Sequence, residues 1–290
     1  MKDIETKEAK IAWIDEYVRE LKNAFVDFKE FENCKSIYRE YLQILSVNPI
    51  YPFIIKAYRL FRINKGMLEQ VFKALEIIAF RHRLTKRGAS LASRLNSVIK
   101  DFDSIDSLLK GLREVCSEKE WYWSDNEIVS NSLIIAYRNY TNEQDKKKSA
   151  LPYLLMRYEQ FLRSEGVQTR GYKFELKDIE NPHIEHIAPQ TETIEESGET
   201  KASGYCDYDE EFNKSYINCI GNLLLIAGSH NISIGNEPFE TKLKSYETSP
   251  LAQHREVKNF VINKGIWDKD AIDKRHEALE KFVLETWSFK

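Results

Sequence analysis

The residues best equipped for chemistry lie in NPHIEHIAPQ, residues 181–190, which holds two of the chain's six histidines together with a glutamate and two prolines. Downstream of Glu185-His186 come Gly221-Asn222-Leu223 and then Asn231, nine positions after Asn222. A phosphodiester is anionic and resists attack by water. Its hydrolysis needs an activated water and a cation that neutralises charge building up on the phosphate. Histidine supplies a base at neutral pH, and a carboxylate with an amide oxygen holds a hard cation such as Mg²⁺. His186, Glu185 and Asn231 offer these three groups.

The backbone must then bring them together. Neighbours on a regular strand point to opposite faces, so Glu185 and His186 converge on one site only where the strand ends or bulges. Pro189, just beyond, makes such an ending. By the same period of two, His183 shares a face with Glu185 and is an additional candidate, although a structural role explains it better. Asn231, in GSHNISIGN, is also a residue type that caps helices and forms turns. Its spacing from Asn222 is what singles it out.

The surroundings are mostly helical. In KGMLEQVFKALEIIAFRHRL the apolar residues Leu68, Val71, Leu75 and Ile78 recur three and four apart, the mark of a core-facing helix. Similar stripes occur in IAWIDEYVRELKNAFVDF, YPFIIKAYRLFRI, SLLKGLREV, NEIVSNSLIIAYRNY and LPYLLMRYEQFL. After SEGVQTRGYKFEL the character changes. A short alternation, YKFEL, precedes the histidines, and a polar loop, QTETIEESGETKASG, follows them. Next comes CIGNLLLIAG, an apolar run bounded by glycines, and the chain closes on two helix-like segments, PLAQHREVKNFVINKG and KDAIDKRHEALEKFVLETW. The pattern predicts a mainly α protein. A helical domain over 1–165 precedes a small α+β module over 166–290, flanked by C-terminal helices.

Composition narrows the function classes. With 290 residues, 42% apolar and 31% charged, the chain is long enough to bury a core without metal or disulfides. A net charge of −3 excludes a surface that grips nucleic acid all over and leaves room only for a local basic patch. One such patch is Arg81, His82, Arg83, Lys86 and Arg87 at a helix end, where the helix dipole accounts for the basic residues nearly as well as DNA does. No apolar run is long enough to span a bilayer and MKDIETKEAK has no apolar signal core, so the expected location is the cytoplasm, away from membranes. The four cysteines are widely spaced, with no C-x-x-C, and read as ordinary thiols.

On these residues the chain resembles a known family. The pattern E-H-I-x-P-Q, then G-N-L-x-L-I, then Asn231 is similar to HNH nucleases of the His-Me finger (ββα-metal) class. More closely, EHIAPQ followed by IGNLLLIAGSHNISIGNEPFETKLKSY resembles the C-terminal domain of GmrSD-type restriction endonucleases, including an N-x-P-F-x-x-K tail at Asn236, Pro238, Phe239 and Lys242. The resemblance implies a metal-dependent DNA endonuclease of a restriction or phage-defence system, acting on modified or foreign DNA. In it His186 would be the general base, Asn222 would fix the loop that presents it, and Glu185 and Asn231 would hold one Mg²⁺ or Mn²⁺. Lys242 would meet a phosphate or cap a helix.

Two departures matter. Better-known HNH enzymes often carry Asp in place of Glu185 and His in place of Asn231, and the oxygen ligands here favour Mg²⁺ or Mn²⁺ over zinc. GmrSD-type systems also include an NTP-using domain with an Asp-Gly-Gln-Gln signature, which this sequence lacks. Any NTP-using function would reside in a partner subunit or domain. Two other readings stand beside the nuclease: a non-catalytic DNA- or partner-binding sensor module of such a system, and an enzyme that cuts RNA. Oligomeric state is not legible.

Overall fold

The computed structural model describes residues 6–85, 90–119, 121–144, 149–164, 176–179, 182–191, 204–262 and 265–289. All of YKFEL but its last residue, most of the following polar loop, and Lys86 and Arg87 lie outside the described residues. The chain forms two compact units, one of Met1–Ala79, Gly88–Cys116 and Phe289, the other of Phe80–Arg87, Ser117–Ser288 and Lys290.

The first unit is helical. Its elements are α1 (Lys7–Asn33), α2 (Ile37–Leu45), α3 (Tyr51–Phe61), α4 (Lys65–Thr85) as far as Ala79, α5 (Leu91–Asp101) and α6 (Ile105–Val115). Local chemistry sets the starts. Thr6, Ser36, Ser90 and Ser104 each accept from a backbone N–H of the first turn, and Ser104 and Ser107 cap each other reciprocally. Lys56 closes the other end of α5, its Nζ donating to Ile99 O at 2.6 Å. Aromatic rings fill the centre, with Phe31 edge-on to Phe72 at 5.2 Å and Phe53 stacked on Phe102 at 6.1 Å.

One expectation fails here. The stripe in IAWIDEYVRELKNAFVDF reads as core-facing, but Ile11, Ile14, Val18, Leu21 and Phe25 are exposed and α1 buries only Asp27 and Phe31 near its C-terminus. The 3.6-residue period shows that one face is apolar and says nothing of what covers it.

The second unit carries α7 (Asp125–Glu127), α8 (Ala136–Thr141), α9 (Ala150–Ser164), β1 (Pro182–His186), β2 (Leu223–Ala227), α10 (Gly228–Ile234), α11 (Phe239–Thr248), α12 (Ala252–Arg255) and α13 (Lys269–Thr286). NEIVSNSLIIAYRNY is not one regular helix: a π turn over Ile128–Ser132 separates α7 from α8. Buried Glu127 accepts from Asn131 Nδ2 at 2.9 Å and Ser132 Oγ at 3.4 Å, a four-and-five spacing that suits the wider turn. PLAQHREVKNFVINKG is likewise shorter than its pattern. α12 has four residues and gives way to a 3₁₀ turn at Val257–Phe260.

The reason lies in the sheet. β1 and β2 pair antiparallel, with Pro182 opposite Ala227, Glu185 opposite Leu224 and His186 opposite Leu223. The other edge of β2 is closed by side chains. Leu225 N donates to Gln253 Oε1 at 2.9 Å, Leu225 O faces His254 Nε2 at 2.9 Å, and Leu223 O accepts from Arg275 Nη1 at 2.8 Å. These groups stand where a third strand would, so the strand edge is satisfied without one. Glu159, fully buried on α9, holds α12 in place by accepting from Ala252 N and Gln253 N at 2.8 and 2.9 Å.

Among the described residues the fold is mainly α, with a small α+β module built on one two-stranded sheet. The four cysteines are free, and among the described residues no helix is long and apolar enough to cross a membrane.

The strand edge carries a pH dependence. His254 must keep its proton on Nε2 to serve Leu225 O, and its buried Nδ1 has no hydrogen-bond partner among the described residues, so protonation would strand a charge in the core. Burial holds its pKa down at about 3. Its folded pKa is below the unfolded value, so the unfolded chain takes up a proton that the folded chain refuses. Stability is therefore lost as pH falls below about 6.5, by up to about 1.4 kcal/mol per pH unit, until about pH 3. In denaturant titrations between pH 7 and 5, His254→Gln should be less stable at neutral pH but show a shallower loss on acidification. An unchanged slope would refute the assignment.

Candidate active site

The site is built on a clamp. Asn222 is fully buried in the 3₁₀ turn Ile220–Asn222 that leads into β2. Its Oδ1 accepts from Ala188 N at 2.8 Å and Trp267 Nε1 at 3.0 Å, and its Nδ2 donates to Ala188 O at 3.0 Å and Ile217 O at 2.9 Å. Its main-chain oxygen accepts from Ile187 N at 2.9 Å, which carries the strand pairing one step past His186. Pro189 then takes the chain away, so β1 ends at His186 as the sequence predicts.

Gly221 and Arg275 support the clamp. A Cβ on Gly221 would collide with Ile272 O of α13, so only glycine lets the turn approach that helix. Arg275, fully buried on α13, returns to the turn with Nη1 on Gly221 O at 2.9 Å.

His186 sits at the strand's end, 7% exposed, with its ring edge-on to Tyr137 at 4.7 Å. Its Nε2 lies 3.1 Å from Asn218 Oδ1, an atom that can only accept. Nε2 therefore carries the proton and Nδ1 is left as the acceptor. Burial lowers the pKa to about 4, with Lys242 pushing the same way and Asn218 opposing, so the ring is neutral at physiological pH.

Glu185 points to another neighbour. α11 follows Pro238, and its residues Phe239, Lys242 and Tyr246, spaced three and four apart, form one buried face. Lys242 Nζ lies 2.5 Å from Glu185 Oε1 and 2.8 Å from His186 O, and Tyr246 Oη donates to the same carboxylate oxygen at 3.3 Å. Desolvation raises the Glu185 pKa and lowers that of Lys242, and each charge partly restores the other.

Lys242 thus joins the Glu185 carboxylate to the His186 main chain, and Asn222 fixes the residues that follow, while the Glu185 and His186 side chains meet different neighbours. His183 lies half-buried on β1 opposite Ile226, on the Glu185 face of the strand. Asn231 is on α10, where its carbonyl accepts from Gly235 N at 3.1 Å. Lys242, read as a phosphate contact or helix cap, is 1% exposed and binds protein oxygens. Arg81 does not join the site and is 2% exposed. Its guanidinium donates to Trp287 O, Trp123 O and Asp125 Oδ1 at 2.8, 2.7 and 2.6 Å, which leaves it tying chain segments together inside the second unit. Arg83, half-buried on α4, is two positions further along that helix.

Comparison with known proteins places the chain. The profile of GmrSD restriction endonucleases, C-terminal domain, matches residues 127–282. The chain belongs to this family. No curated protein and no solved structure matches it.

Within the GmrSD module, a metal has to be judged from the donors. Among the described residues no three His, Cys, Asp or Glu side chains gather in a metal-binding group. Glu185 and Asn231 offer oxygens, which suit a hard cation in kind, and Lys242 already neutralises the carboxylate. The sequence reading missed Tyr137, Asn218, Trp267 and Arg275. All act across long stretches of chain, and none carries a local signature.

The clamp yields a stability prediction. Asn222→Ala deletes four buried hydrogen bonds and leaves Ala188, Ile217 and Trp267 groups unpaired, a loss of about 3 kcal/mol or more. Denaturant unfolding of the purified variant should show a midpoint well below wild type. A shift of under about 1 kcal/mol would mean the amide is not the clamp.

Proposed function

We propose that this protein is a metal-dependent DNA endonuclease of a restriction or phage-defence system, with His186 as the general base, acting on modified or foreign DNA. The observation that carries the reading is the state of His186. Its ring is neutral, its Nε2–H is committed to Asn218, and its Nδ1 has no hydrogen-bond partner among the described residues and can take a proton, in a GmrSD C-terminal domain.

In this reading His186 Nδ1 removes a proton from water as the water oxygen attacks phosphorus and one ester oxygen departs. Asn218 stabilises the imidazolium that results, since the proton on Nε2 stays bonded to its oxygen. Asn222 acts by position, fixing the turn that ends β1. Glu185 and Asn231 are the residues to hold Mg²⁺ or Mn²⁺, which when bound would neutralise charge on the phosphate and the leaving oxygen. An NTP-using partner subunit or domain belongs to the same proposal.

A second reading rests on the Glu185–Lys242 pair. A carboxylate that already carries an ammonium has less need of a metal, and the module would then be a non-catalytic DNA- or partner-binding sensor.

Cleavage of supercoiled plasmid and of phage DNA with Mg²⁺, Mn²⁺ or EDTA separates these readings. The nuclease should nick or cut only with metal, and His186→Ala should lose at least 10²-fold in rate while still unfolding in a cooperative transition. A variant as active as wild type would remove His186 from the mechanism. A matched RNA substrate should be cut far more slowly than DNA. In calorimetry, the Glu185→Ala/Asn231→Ala double variant should bind Mn²⁺ at least tenfold more weakly. Undiminished binding would exclude these two residues as the ligands.

A further inference from the structure

The first half of α1 carries a run of exposed apolar side chains that the fold does not explain. Residues 6–19 are all exposed, so several helical turns run without tertiary packing. An unsupported helix of this length is marginal in water. Yet this one carries Ile11, Trp13, Ile14, Tyr17, Val18, Leu21 and Phe25, each 44–67% exposed. Side chains of this size expose together on the order of 700 Å², beyond the usual patch of a monomer and close to what each partner of a stable interface buries.

The spacing and charge of the stripe say what covers it. Ile11, Ile14, Val18, Leu21, Phe25 and half-buried Phe28 alternate three and four apart, the seam of a two-helix coil. α1 holds five Lys and Arg against seven Asp and Glu, which argues against nucleic acid or an anionic lipid surface as the occupant. Asp15 and Lys22 flank the seam at equivalent places one heptad apart. In an antiparallel pair such places face each other across the two-fold axis, so Asp15 of each helix meets Lys22 of the other. The same register sets Ile11 against Phe28, Ile14 against Phe25 and Val18 against Leu21. Because α1 buries Asp27 and Phe31 within its own unit, the antiparallel arrangement keeps the two packed ends apart.

We propose that α1 is a homodimerisation helix that pairs antiparallel with α1 of a second copy along the Ile11–Phe28 seam. The dimer would carry two copies of the His186 site, enough to address both strands of a duplex, and that consequence alone rests on the nuclease reading.

Sedimentation velocity on the full chain at micromolar concentration tests the proposal without reference to activity. Wild type should sediment as a dimer. Val18→Glu/Leu21→Glu should halve the mass, and its thermal unfolding should keep the main transition because both positions are exposed. Asp15→Lys and Lys22→Asp singly should each weaken the dimer at least tenfold by setting like charges opposite, and the double exchange should restore it. A monomeric wild type would overturn the proposal and leave the stripe to a different partner. A dimer that survives Val18→Glu/Leu21→Glu would overturn α1 as the interface. Single charge variants that are not rescued by the double exchange would overturn the antiparallel register.

Discussion

The second unit depends on one fully buried amide. Asn222 joins the loop after β1 to the turn before β2, and adds the indole of Trp267 from the segment leading into α13. Each hydrogen bond contributes only about 0.5–1.5 kcal/mol net, but every group it satisfies is buried and would cost more if left unmade. The neighbours follow from this. Gly221 must be glycine because the turn presses on α13 at Ile272, and Arg275 fills the same contact from the helix side with hydrogen bonds to the turn's carbonyls. A two-stranded sheet is marginal alone. Here it persists because side chains from α12 and α13 complete its open edge.

Burial, more than neighbouring charge, sets the protonation states in this unit. His186 and His254 are both neutral because desolvation disfavours the imidazolium, and both commit Nε2 to an oxygen. They differ at the other nitrogen. Nδ1 of His254 is sealed in the core with no hydrogen-bond partner among the described residues, which suits a structural group that must never charge. His186 ends its strand, where the chain turns away and the ring leans on Tyr137. A neutral histidine becomes a base only where a ligand can reach its second nitrogen, so identical residue chemistry yields a strut in one place and a candidate base in the other.

What was legible in the sequence was local. E-H-I-x-P read as a strand end because that rests on a steric rule within a few residues, whereas the loop-fixing role of Asn222 came only with the family resemblance and the inward face of Phe239, Lys242 and Tyr246 came only with the structure. What escaped depends on distant chain. Lys242 meets Glu185 across 57 positions, and Arg81 meets Trp287 across 206, so a residue read as facing phosphate proves internal. The α1 stripe and the short α12 show the same limit. An apolar period announces a face to be covered, whereas the partner that covers it, or the side chains that cut a helix short, are set by tertiary packing.

The Glu185–Lys242 pair shows how a buried carboxylate can persist beside a neutral base. Taking Glu185 out of water without a counter-ion would cost several kcal/mol or drive it to the protonated form. Lys242 prevents this from two anchor points, the carboxylate and the His186 carbonyl. The second anchor matters because it ties the charge to the backbone of the proposed base. If the contact with Glu185 were lost, the ammonium would still be held at His186 O, and the end of β1 would still be pinned to α11. The carboxylate's electrostatic state can therefore change without releasing the backbone that carries the imidazole. Were Glu185 to take a metal ion in place of the ammonium, as the proposed nuclease reading has it, that separation would keep His186 in register.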